Sequence, residues 1–65
     1  MMSREKARDL AKATAEMLGH NYCVCRSKTH PDWYNVFEDE VALNAKWAQD
    51  DWEIVATYHP PEVAA

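Results

Sequence analysis

Four residues near the middle of the chain have the types that do chemistry: His20, Cys23, Cys25 and His30, within HNYCVCRSKTH. Thiolate and imidazole together suit zinc, and His59 could extend the set. The spacing speaks against that chemistry. Residues two apart on a strand point the same way, roughly 6.5–7 Å along the chain. Cys23 and Cys25 then share a face, while His20 and His30, of opposite parity, aim away from them. Zinc sites bring cysteines in on a C-x2-4-C knuckle, which C-x-C is not. A disulfide between the two fails on the same geometry, because it needs Cβ atoms about 3.8 Å apart. The expected role of Cys23 and Cys25 is that of small apolar residues on a strand, with no metal and no cofactor. Facing outward, they would instead be exposed thiols that form mixed disulfides. The alternative is a metal or redox module built from Cys23, Cys25, His20 and His30.

No other catalytic pattern stands out. The chain has no Gly-rich phosphate loop, no HExxH and no GxSxG. A chain of 65 residues leaves little room for a pocket of roughly 300 Å³ beside its core. Enzyme activity is not expected, and the histidines read as turn and strand-end residues. The aromatics carry more information. Trp33, Trp47, Trp52, Tyr22, Tyr34, Tyr58 and Phe37 are more rings than so small an interior can hide. One sheet face should therefore show an aromatic patch, and such patches bind partners.

These residues need elements to hold them. Residues 3–18 predict a helix, with Ser3 as N-cap, Glu5 in the first turn and Gly19 just past the end. Ala7, Leu10, Ala11, Thr14, Met17 and Leu18 recur at helical spacing as one apolar stripe. Asp9–Lys12 and Lys12–Glu16 are spaced to pair. The small residues of that stripe let a flat sheet approach closely. Residues 21–28 and 33–37 predict two strands, joined at Thr29-His30-Pro31-Asp32 as a hairpin. Trp33, Asn35 and Phe37 fall on one side of the second strand, Tyr34 and Val36 on the other.

Residues 38–49 read both ways. Val41, Leu43, Ala45 and Trp47 alternate as in a strand, yet most of the segment favours helix and Asp39 could cap it; helix is the preferred reading. Residues 52–59 alternate as a strand that Pro60-Pro61 stops, with Trp52, Ile54, Ala56 and Tyr58 on one face. The tail 61–65 is expected to fray. The fold expected is a single α+β domain over 1–65, an N-terminal helix packed on a small three-stranded sheet, in the order α-β-β-(α)-β. Helices on one sheet face are the simplest burial. A third strand parallel to a hairpin strand would make the second helix a crossover.

Charge is unevenly placed. Residues 1–28 carry a balance of +3 and residues 29–65 one of −7, giving −4 overall. The acidic half argues against nucleic acid as partner and permits a basic protein surface. Apolar residues at 48% fit a folded chain, and no apolar run approaches the roughly 20 residues of a membrane span. The charged N-terminus and two cysteines point to a cytoplasmic protein.

An acidic chain of this length, with a Lys/Ala N-terminal helix and the ending DDWEIVATYHPPE, resembles small accessory proteins encoded by phages and prophages. The resemblance implies docking on a host macromolecule that is inhibited or redirected, and it transfers no site residues. The function expected is a non-enzymatic interaction module. Trp33, Tyr34, Trp47 and Trp52 would make contact within an acidic rim of Glu38, Asp39, Glu40, Asp50 and Asp51, against a basic or nucleic-acid-binding host protein. A self-associating homodimer is the alternative.

Overall fold

A computed structural model describes residues 2–61. Helix α1 spans Arg4–Leu18, strand β1 Tyr22–Ser27 and strand β2 Tyr34–Glu38. Two short helices follow, α2 at Asp39–Asn44 and α3 at Lys46–Asp51, and strand β3 at Trp52–Tyr58 completes the domain. The small α+β fold matches expectation.

The ends of α1 form as their residues dictate. The Ser3 hydroxyl accepts from the Lys6 N–H at 3.2 Å, satisfying one orphan donor of the first turn. Gly19 closes the helix in the left-handed region at φ 69°, and its N–H reaches the Ala15 carbonyl. The buried stripe is narrower than predicted and includes Ala15, which the predicted stripe left out. Ala7, Ala11 and Ala15 are fully buried, whereas Leu10, Met17 and Leu18 face solvent. Three alanines let the helix lie close against the sheet, and that closeness leaves no depth for larger side chains. The expected pairs at Asp9–Lys12 and Lys12–Glu16 do not form; among the described residues the ion pairs are Arg8–Asp9 and Arg26–Glu53.

The sheet order is β2-β1-β3, and both outer strands run antiparallel to β1. β2 and β3 are therefore parallel to each other with β1 between them. α2 and α3 make the crossover that connects them. The helices do not share one sheet face as expected. α1 covers one side, where Ala7, Ala11 and Val24 pack with Val36, Tyr34, Val55 and Tyr58. α2 covers the other, where Ala42 closes over Cys23 and Cys25 beside Phe37 and Trp52. The central strand is thus buried on both sides, which is why Tyr22-Cys23-Val24-Cys25 is a continuous apolar run.

The segment 38–49 is helical, but in two pieces. Ala45 sits at φ −81°, ψ 120°, outside helical space, and splits α2 from α3. The Gln49 side chain donates to the Leu43 carbonyl across that corner. Asp39 is not the cap; it is the first helical residue, after Glu38, which makes no side-chain cap bond.

β3 departs from strict alternation. Its register against β1 shifts between Val24 and Cys25: Ala56 pairs with Val24, but Ile54 pairs with Cys25, leaving Val55 as an extra residue. Trp52 and Ile54 therefore fall on the α2 side, and Val55, Ala56 and Tyr58 on the α1 side. The expected common face of Trp52, Ile54, Ala56 and Tyr58 is cut in two. β1 is tied to the end of α3 by Lys28, whose N–H bonds the Asp51 carbonyl at 2.9 Å and whose ammonium bonds the Gln49 carbonyl at 2.6 Å. Pro61 lies outside regular structure, and the rest of the tail expected to fray, 62–65, falls outside the described residues.

Candidate interaction surface

The hairpin loop positions the first aromatic. The Ser27 hydroxyl accepts from the N–H groups of Thr29 and His30, and the Trp33 N–H bonds the His30 carbonyl at 2.9 Å. This holds the His30 imidazole flat on the Trp33 indole, with centroids 3.7 Å apart and planes 6° from parallel. Parity then carries Trp33, Asn35 and Phe37 to the α2 side of the sheet, across from Cys25 and Cys23. Phe37 lies edge-on to Trp52 on β3 and to Trp47 on α3, with centroids 5.5 Å apart in both cases. Trp33, Asn35 and Trp52 line a hollow of about 270 Å³. The rings thus form a row in two parts, Trp47–Phe37–Trp52 and Trp33–His30, which meet at the hollow that Trp52 and Trp33 both line. Trp47 is 56% exposed and Trp33 38%.

The predicted contact residues divide between the two sides. Trp33, Trp47 and Trp52 come together. Tyr34 borders the same hollow, but its side chain packs in the α1-side cluster, and Glu38 shares its parity opposite Tyr22. Of the acids, Glu40, Asp50 and Asp51 are exposed on α2 and α3, where Lys46 is the one cation. Asp39 is partly buried and occupied, accepting from the Cys23 thiol at 3.2 Å. Residues that the sequence reading left out of the surface are Phe37, the hub of the row, and Ile54 and Leu43, which are exposed. Phe37 was findable, since it has the parity of Trp33; Ile54 was not, because the bulge sets its side.

The four candidate ligands do not converge. Cys23 and Cys25 are free and buried under α2, His30 stacks on Trp33, and His20 is exposed beyond the end of α1. Among the described residues no group of three or more His, Cys, Asp or Glu side chains is placed to hold a metal ion. Burial raises the Cys23 thiol above its ordinary value, with the Thr57 hydroxyl bond opposing and Asp39 reinforcing. Cys25 is pushed up to about 11, by burial first and by neighbouring Cys23 second. A raised thiol pKa is the reverse of the lowered one that marks a nucleophilic cysteine.

Comparison with known proteins decides nothing further. No family model, no curated protein and no solved structure matches the chain. Among the described residues no helix is long and apolar enough to cross a membrane.

Proposed function

We propose that this chain is a small non-enzymatic interaction module of the phage or mobile-element type, acting in the cytoplasm, that binds a basic host protein through its α2–α3 face. One observation carries the reading. Among the described residues the fully buried apolar ones are alanines, cysteines and a single valine, while Trp33, Trp47, Leu43 and Ile54 remain exposed. Folding here fully buries only small side chains, packs Phe37, Trp52, Tyr34 and Tyr58 partly against them, and leaves Trp33, Trp47, Leu43 and Ile54 exposed to water. Exposed indoles fixed by neighbouring rings bury large area at low entropic cost, as interface hot spots do.

The acids support the same reading. Asp50 and Asp51 close α3, where the carbonyl ends of a helix disfavour carboxylates by about 0.3–1 kcal/mol each. The Lys28 ammonium on the Gln49 carbonyl offsets part of that cost, and a basic partner would offset the rest. Two free, buried thiols suit a reducing compartment.

The test captures a partner from lysate of the host cell and measures its association with purified chain. Trp47→Ala, with unchanged far-ultraviolet circular dichroism, should weaken binding about 30-fold, the loss of roughly 2 kcal/mol typical of a hot spot. Glu40→Gln/Asp50→Asn/Asp51→Asn should slow association and flatten its dependence on salt. Equal binding by Trp47→Ala, an association rate indifferent to salt, or a homodimer that seals Trp47 would overturn the proposal.

A further inference from the structure

The opposite side of the sheet carries a second surface of different chemistry. α1 lies over β1 and β2 and barely reaches β3. A groove of about 380 Å³ opens between the helix and that edge strand, more room than the length of the chain led one to expect, because the helix leaves β3 mostly uncovered. Its floor is apolar: Val24, Val55, Ala56 and Tyr58. The bulge widens that floor, because it turns Val55 to the same side as Ala56 instead of away from it. The rim on the helix side holds Arg4 and Arg8, one turn apart, with Glu5 between them; the Arg8 guanidinium also lies 3.5 Å from the exposed Asp9 carboxylate, which a partner's carboxylate would have to share or displace. β3 is outermost in the sheet, so one side of its backbone faces no strand among the described residues.

We propose that this groove accepts an extended acidic segment of a partner protein, added to the sheet alongside β3. The free edge supplies main-chain hydrogen bonds. The floor takes every second side chain of the added strand, and Arg4 and Arg8 pair with its carboxylates. A second copy of the chain is the poorer occupant. Joining two β3 edges about a twofold axis would set the Arg4 and Arg8 of one α1 toward those of the other, whereas an acidic strand meets them with opposite charge. This surface lies across the sheet from the aromatic row, so either can hold if the other fails.

Display of random peptides of roughly twelve residues against the full chain tests it. The expected winners alternate acidic with β-branched residues. Bound to labelled protein, they should shift backbone amide resonances of Trp52–Tyr58 and of the first half of α1. Arg4→Glu/Arg8→Glu should weaken the selected peptides about ten-fold or more, and Arg4→Lys/Arg8→Lys should retain most of the affinity. Trp47→Ala should leave it unchanged. The proposal is overturned if no such peptides are enriched, or if their shifts fall on the Trp33–Trp47 face. It is equally overturned if charge reversal has no effect, or if sedimentation shows two copies joined along β3 that peptides cannot part.

Discussion

The Cys23 thiol donates to Asp39 Oδ1 at 3.2 Å, across the point where β2 turns into α2. This bond, with the Asp39 N–H to the Asn21 carbonyl at 2.9 Å, fastens the first turn of α2 to the start of β1. It also shows what the cysteines do. They are the seat on which α2 rests, and Ala42 is the residue that lands there.

Alkaline pH should loosen that seat. Folded Cys25 holds its proton up to about 11, whereas a cysteine in the unfolded chain releases it near 9.0. Its contribution to stability is complete below pH 9.0 and is lost as pH rises toward about 11. Cys23, also raised, works in the same direction. Urea midpoints measured on either side of that window should fall for the wild type and fall less for Cys25→Ala. Parallel curves would show that Cys25 does not titrate with unfolding.

The same burial makes thiol labelling a reporter of α2. A soluble maleimide should react slowly with both cysteines, at a rate set by how often α2 lifts away. Ala42→Gly weakens the helix by about 1 kcal/mol and should speed labelling about five-fold, provided that opening is local. Labelling as fast as that of a free thiol, in the unmutated chain, would contradict the placement of Ala42 over Cys23 and Cys25.

The α1–sheet contact predicts an inversion of the usual size rule. Ala11→Leu forces two added branches into a gap set by alanine and should cost about 1–3 kcal/mol. Leu10→Ala, at a position 46% exposed, should cost under about 1 kcal/mol. Midpoints of chemical denaturation compare the two directly. A more damaging Leu10→Ala would mean that the helix is rotated to bury Leu10.

Most of this architecture could be read in the residues, and the failures have identifiable causes. Caps, strands and the hairpin follow from local chemistry: Ser3, Gly19 and Pro31 act within a few residues of themselves. Which side of α1 is buried is not local. Leu10 and Met17 fit the helical period as well as Ala7 and Ala11 do, and only the closeness of the sheet selects the alanines. Likewise, a two-sided sheet was signalled by the unbroken apolar run at 22–25, but that run serves equally as half of a one-sided hairpin. The bulge at Val55 has no marker such as glycine, so alternation predicted Trp52 and Ile54 on the side of Tyr58, and packing put them with the cysteines. The aromatic row was legible as a surplus of rings; its order was not, because Trp47 lies past the break at Ala45 and meets Phe37 through tertiary packing.

The aromatic row itself should split into a structural half and an accessible half. Trp52 begins β3, packs against Phe37 and belongs to the cysteine-side cluster, so Trp52→Ala removes a ring that holds α3 and β3 to the sheet. Its cost should be about 2–4 kcal/mol, a large part of what so small a domain possesses. Trp47 meets Phe37 in a T-shaped contact and is 56% exposed, so Trp47→Ala should cost under about 1 kcal/mol. Thermal denaturation of the two variants separates them. A Trp47→Ala variant as unstable as Trp52→Ala would make the whole row part of the core and remove the reason to regard it as a binding surface. A stable Trp47→Ala variant leaves that indole free to act on a partner, because folding does not depend on it.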